Sequence, residues 1–244
     1  MCTLSWFFTE DGYELFSNRD ERRTRLPATA PSVAEAQGVR YLSPSDSEAG
    51  GTWIAVNELG LSLSLLNLYQ ATRPAGSPQP PRSRGLLVRD LAGSDGLRDV
   101  ATALERADLE RYEPFTLLAV EPGLARAFEW DGRSLVPLGE PDHPLVSSAV
   151  VFSEAAAARR RSFEALGAEG LSRSPLHLAF HSSHLPERGR LSACMHREDA
   201  KTVGFTQVTV SAGEVALAYA PGSPCRVALG TPVRLERRLV ALPA

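Results

Sequence analysis

The second residue of the 244-residue chain is a cysteine, directly behind Met1. Initiator methionine is commonly removed before a small residue, and its removal would give Cys2 a free α-amine beside its thiol. One residue then holds both nucleophile and base. The amine, with a reference pKa of about 7.7–8.0, is competent near neutrality. It can take the thiol proton directly or through a water, as an N-terminal threonine does. A cysteine at this position can equally be a small packing residue, so its neighbours decide. Residues 2–8 (CTLSWFF) are aromatic and β-prone, Glu10-Asp11-Gly12 supplies a turn, and Tyr13, Leu15 and Ser17 then alternate with Glu14, Phe16 and Asn18. A hairpin sets the start of one strand beside the end of the other, so Asn18, Arg19, Asp20 and Glu21 are predicted beside Cys2. A carboxylate there can hold the amine, and Arg19 can lower the thiol pKa or meet a substrate's charge.

Other groups carry weaker signals. Four of the five histidines, His177, His181, His184 and His196, fall close together with Cys194 among them. On a helix the first three would share a face and could meet a metal or haem. Pro175, Ser182-Ser183 and Pro186 limit any helix to a short one, and no carboxylate or second cysteine stands at ligand spacing. The expectation is therefore histidines lining a cavity mouth, with no metal, and Cys194 and Cys225 as core or strand thiols. Arg197 is a candidate for a substrate anion, with an ordinary strand-edge ion pair as the competing account. Gly50-Gly51-Thr52-Trp53 lacks phosphate-loop spacing; its glycines would let two backbones approach, and Trp53 would start a buried strand. Arg22, Arg23 and Arg25 could attract an anionic substrate such as an acyl carrier or haem propionate, but a solvated loop is the simpler reading.

The elements that must position these residues follow from pattern. A second hairpin is expected from 52–56 and 61–67 about Glu58-Leu59-Gly60, with a Pro/Ser/Ala-rich connection over about 26–50. Residues 71–84 (ATRPAGSPQPPRSR) hold four prolines and predict an exposed, stiff loop. Helical periodicity starts at Gly85, is clearer over 97–105, and continues to about 109. Strands are expected over 115–120 and 125–130, the latter ending at Asp131-Gly132. An alanine-rich helix opens after Ser153 as N-cap and runs to about 166. Alternation returns at 202–210 and 215–219 around a turn at 211–213. Strand pairs, helices and strand pairs again predict one α+β domain over 1–244, built on antiparallel sheets, with 71–84 as a loop insertion.

Composition sets the outer bounds. Hydrophobic residues are 43% and charged residues 23%, which excludes a disordered or collagen-like chain. A net charge of −3 argues against nucleic-acid binding. Arginine supplies 25 of the 26 basic residues, which reads as coding bias, so runs such as Arg159-Arg160-Arg161 are expected to be solvated. Three cysteines are too few, and odd in number, for a disulfide framework. No stretch approaches the roughly 18 apolar residues of a membrane span. No basic, apolar leader pattern opens the chain, so a cytoplasmic protein with reduced thiols is expected. A homo-oligomer is compatible with all of this.

Asn18-Arg19-Asp20-Glu21 behind Met1-Cys2, then Gly50-Gly51-Thr52-Trp53, then Asn67 at a strand end, resembles the NRDE family, whose eukaryotic members are the transport and Golgi organisation protein two homologues. His196-Arg197-Glu198-Asp199-Ala200 with Thr202 resembles a late motif of bacterial members. The Met1-Cys2-Thr3 start and Asp11-Gly12 with Leu15-Phe16 are similar to choloylglycine hydrolases and penicillin V acylases. The resemblance implies the N-terminal nucleophile hydrolase fold, a four-layer αββα sandwich of two antiparallel sheets flanked by helices. It implies cleavage of a non-peptide C–N amide, or a thioester, through an acyl-Cys2 intermediate. Arg19 and Asp20 are the nearest matches to an acylase Arg and Asp. The acylase order is Arg-x-x-Asp, however, so Glu21 can instead fill the acidic role. Asn67 becomes a candidate oxyanion donor, and Asn18, Glu21 and Arg197 become substrate-binding candidates. A later Asn, expected near 148, is Ser148. No cofactor is implied. The alternative is a non-catalytic carrier of lipid, acyl-CoA or haem using the same pocket.

Overall fold

In the computed structural model, which describes residues 2–239, the Asp11-Gly12 turn folds β1 (Cys2–Phe8) onto β2 (Tyr13–Arg22). The register sets Cys2 opposite Arg19 and Phe8 opposite Tyr13. β10 (Leu145–Ser147) pairs with the outer edge of β1. On the other side of β2 lie β11 (Ala200–Val210), β12 (Glu214–Ala220) and β13 (Val233–Glu236), completing a six-stranded sheet in the order β10-β1-β2-β11-β12-β13. Its pairings are antiparallel.

The second sheet has seven strands in sequence order: β3 (Thr29–Ala36), β4 (Val39–Ser45), β5 (Ile54–Asn57), β6 (Ser62–Asn67), β7 (Phe115–Glu121), β8 (Leu124–Trp130) and β9 (Leu135–Gly139). The first two correct the connection expected over 26–50. They form a hairpin whose turn residues, Gln37 (φ 54°) and Gly38 (φ 77°), are both left-handed, as a two-residue hairpin turn requires. β3 is largely exposed and carries Pro31, which an edge strand tolerates.

Four helices cover the outer faces. α1 (Arg84–Leu91) and α2 (Leu97–Arg106) bury Leu87, Val88, Leu91, Leu97, Val100 and Leu104 against the seven-stranded sheet. α3 (Phe152–Ala168) and α4 (Arg173–Ser182) pack on the six-stranded sheet. α3 starts at Phe152, with Val151 as N-cap in a left-handed conformation (φ 46°), so the expected cap Ser153 lies inside the first turn. α4 accommodates Pro175 because its missing N–H falls within the first turn, where no intrahelical partner exists. Between the two sheets, Leu4, Trp6, Leu15, Ile54, Val56, Leu66, Leu118, Val208 and Leu217 make the central core. Full burial of one such side chain stabilises by about 1.5–3 kcal/mol. The result is a four-layer αββα sandwich, as the resemblance implied. Among the described residues, no helix is long and apolar enough to cross a membrane.

Candidate active site

Side chains of a strand alternate between faces. On β1 and β2 this sends Cys2, Arg19 and Glu21 to one side, into a cavity of about 560 Å³ that Asn67 and Arg84 also line. Cys2 is 9% exposed, and its backbone N–H donates to Ser147 Oγ at 2.9 Å across the β1–β10 pairing. Arg19 Nη2 lies 2.5 Å from Asp46 Oδ2 and 3.7 Å from Glu21 Oε1, and its guanidinium carbon sits 4.2 Å from the Trp53 ring centre. Asp46 also binds Arg25 at 2.8 Å. Burial alone would raise the Asp46 carboxyl, but the Ala49 N–H, Arg25 and Arg19 hold it below the ordinary carboxylate value.

Burial pushes the Cys2 thiol up; the charges of Asp20 and Glu21 add to that, and Arg19 works against it. A thiol held neutral attacks only when a base removes its proton at the moment of reaction. Asn67 reaches the cavity from the end of β6, where its Nδ2 donates to Tyr69 Oη at 2.8 Å. The cavity wall from 81 to 85 is fixed by a close backbone approach. A Cβ on Gly51 would lie 2.3 Å from the Gly85 carbonyl carbon, and Thr52 N–H donates to Gly85 O at 3.0 Å. Opposite Arg19, β11 carries a bulge: Thr202 pairs with Asp20, Gly204 pairs with Arg19, and Val203 is skipped. A Cβ on Gly204 would stand 2.8 Å from Tyr219 Oη. Bulges of this kind re-aim side chains next to functional sites.

The other two residues of the motif face away from this cavity. Asn18 is fully buried, its Nδ2 donating to His181 O at 2.9 Å and Ala193 O at 2.8 Å, so its expected substrate contact is replaced by a structural clamp. Asp20 accepts from Thr202 Oγ1 at 2.6 Å and lies 3.6 Å from Arg159 Nη2, both side chains being fully buried. Burial raises the Asp20 carboxyl, with Arg159 and Thr202 drawing it back. Arg159 also donates to Thr3 Oγ1. It thus departs from the solvated run expected of Arg159-Arg160-Arg161, because the strand face above α3 needs its charge.

Arg197 does not line the cavity. Its guanidinium binds Asp199 in bidentate fashion at 2.9 and 2.7 Å, which is the strand-edge ion pair. Nor do the histidines line the cavity mouth. His177 Nδ1 and His181 Nε2 both meet Ser5 Oγ, at 2.7 and 2.8 Å, beneath α4 and among Phe7, Phe16, Phe180 and Phe205. The fifth histidine, His143, joins this layer by accepting from Trp6 N–H at 2.8 Å. His184 and His196 stand apart, next to Cys194 and Cys225. Ser148 donates to Val150 O, and the serine that faces Cys2 is Ser147. Ser147 and Arg84 were missed by sequence reasoning. Only the strand pairing brings the first to Cys2, and only the Gly51–Gly85 contact brings the second into the cavity wall. Another cavity, of about 530 Å³, lies on the far side of the seven-stranded sheet among Leu104, Phe128 and Trp130, with no cysteine or histidine in its lining.

Two antiparallel sheets face to face, helices outside both, and a cysteine opening β1, the strand next to edge strand β10, define the N-terminal nucleophile hydrolase fold. Solved structures of that fold superimpose over most of their length. Two variants of the conjugated bile acid hydrolase from Clostridium perfringens are 12% and 13% identical, with TM-scores of 0.54 and 0.53. The first alignment covers 99% of each chain; the second covers 91% of this chain and 89% of the hydrolase. The Caenorhabditis elegans N-acylethanolamine-hydrolyzing acid amidase ortholog is 14% identical with a TM-score of 0.52, over 85% of this chain and 92% of the amidase. The chain belongs to the Transport and Golgi organisation 2 family, whose match spans residues 1–160. No curated protein matches the sequence significantly.

Proposed function

We propose that the chain is an N-terminal-cysteine hydrolase acting on a non-peptide C–N amide, or a thioester, that carries an anionic group. The observation that carries this reading is the placement of Cys2 on the wall of the charged cavity, in register with Arg19 and on the same face as Glu21. The Cys2 nitrogen, an amide that donates to Ser147 Oγ at 2.9 Å in the unprocessed chain, becomes the free α-amine once the residue preceding it is removed. In attack, the Cys2 sulfur bonds to the acyl carbon while the thiol proton passes to the α-amine. The new oxyanion takes a hydrogen bond from an Asn67 N–H. The leaving amine then receives the proton from the α-ammonium, and a water, deprotonated by the same amine, hydrolyses the acyl-Cys2 thioester.

Glu21 fits the acidic role better than Asp20, because its carboxylate shares the cavity with Cys2 whereas Asp20 is committed to Thr202 and Arg159. Arg84 supports an anionic substrate. It lines the cavity, donates to Pro114 O, and forms no ion pair among the described residues. The named activities of the two structural neighbours, on conjugated bile acids and on N-acylethanolamines, are consistent with amide substrates. The carrier alternative fits this lining less well, since lipid pockets are predominantly apolar.

Intact-mass measurement tests the first requirement: a chain retaining Met1 has no α-amine on Cys2 and rules the mechanism out. With the processed chain, incubation with a panel of anionic acyl amides should give an acyl adduct on the first residue and release amine, and Cys2→Ala should give neither. Activity should rise with pH through about 7–8 as the α-ammonium loses its proton. Arg84→Met should raise KM at least about tenfold, the loss of one charge-assisted contact.

A further inference from the structure

We propose that His184, Cys194, His196 and Cys225 bind one tetrahedral metal ion, zinc by its donor set, at a site separate from the Cys2 cavity. One donor atom from each residue lies within 4.8 Å of the other three. His196 Nε2 stands 3.5 Å from Cys194 Sγ and 3.4 Å from Cys225 Sγ. A zinc ion with Zn–S of about 2.3 Å and Zn–N of about 2.0–2.1 Å requires S···N edges of about 3.6 Å in a tetrahedron. These two S···N edges are therefore already close to tetrahedral lengths, and the remaining donor separations are at most 4.8 Å. His184 Nε2 is buried without a hydrogen-bond partner among the described residues, although its ring packs against His196 with centroids 5.1 Å apart. A purely hydrogen-bonded cluster would leave that nitrogen unsatisfied, whereas a cation at the centre gives it a role.

Two sulfur and two imidazole ligands favour zinc over harder ions. Four protein ligands leave no open position, so the ion is structural rather than catalytic. Binding turns two thiols into thiolates and releases two protons to solvent, so the ion and its four ligands are neutral together. With His196 ligating through Nε2, its Nδ1 carries the proton, and the exposed Arg188 guanidinium, now 3.5 Å away, turns aside.

The location says what such an ion would hold. Residues 183–199 contain neither helix nor strand, and long segments of that kind need an anchor. The ion would tie this segment to the loop after β12 that bears Cys225. The same segment backs the motif on β2. Ala193 O accepts from Asn18, while Met195 N–H donates to Thr202 Oγ1, which donates to Asp20. A metal here would therefore fix the rear partners of Asn18 and Asp20 without touching the cavity.

The test uses the full-length, untagged chain purified anaerobically without chelator. Elemental analysis should find about one zinc per chain, as a closed four-ligand site requires. After stripping, cobalt(II) should restore the strong visible bands of tetrahedral coordination together with thiolate charge transfer. Cys225→Ser, at a partly exposed position, should lose both, and Cys2→Ala should keep both. Trace metal in the folded wild-type chain together with no cobalt spectrum would overturn the proposal. So would a Cys194–Cys225 disulfide in anaerobically purified protein, or full zinc content surviving in both Cys225→Ser and His184→Ala.

Discussion

The two faces of β2 put the same four-residue motif to different uses. Arg19 and Glu21 look into a charged cavity with Cys2, where their partners are other side chains. Asn18 and Asp20 look into a dry layer under α3 and α4, where each is held by fixed donors and acceptors. A four-residue string can thus be half cavity lining and half foundation, and the pleat alone decides which residue is which. The dry half should govern stability, and the wet half should govern thiol chemistry.

The sharpest way to break this contrast is to remove Arg159. Arg159→Met removes the buried cation beside Asp20 and should cost about 3–5 kcal/mol in urea unfolding, with Asp20→Asn in the same chain recovering most of the loss. A cost below about 1 kcal/mol would mean the foundation lies elsewhere.

Acid should attack the same layer. Burial holds His143 down to about 4 and His177 to about 3, and also lowers His181 well below the ordinary histidine value. The unfolded chain binds those protons near pH 6.5 and the folded chain does not, so stability is present above that pH and is lost as pH falls toward 4. Each histidine contributes up to about 1.4 kcal/mol per pH unit. Urea midpoints at pH 6.5 and 4.5 should show the loss, and His177→Phe should shrink it.

A smaller effect is expected from Asn18→Ala, which strands the carbonyls of His181 and Ala193. It should cost about 2–4 kcal/mol in unfolding measurements while leaving Cys2 alkylation unchanged. The smallest stability effect belongs to Glu21→Gln on the wet face, under about 1 kcal/mol. That variant should nevertheless raise the rate of Cys2 alkylation at neutral pH, because a charge that pushes the thiol up is gone. An unchanged or slower rate would blur the distinction between the faces.

Much of this was legible before any coordinates. The Asp11-Gly12 turn fixes the first hairpin, and with it the proximity of Cys2 and Arg19. The period of 97–105 marks α2, and 115–120 marks β7. What stayed hidden depended on tertiary context. β3 is an edge strand of Thr, Ala, Pro and Ser with a Gln-Gly turn, which reads as linker because its hydrophobic alternation is weak. Arg159 looked like part of a solvated run because no local pattern reports the buried carboxylate across from it. Alternation could have separated Asp20 from Glu21, since odd positions on β2 share the face of Cys2 once the register is known. Cys225 has no spacing relation to His184, Cys194 and His196, so only the pairing of β11 with β12 delivers it to them.

The 2.9 Å contact between the Cys2 nitrogen and Ser147 has a practical consequence for anyone handling the molecule. That nitrogen is buried beside edge strand β10, and a peptide label fused ahead of it keeps it an amide. Affinity handles for testing the proposed hydrolysis therefore belong at the opposite terminus, since an inert preparation carrying a leading tag leaves that proposal untouched.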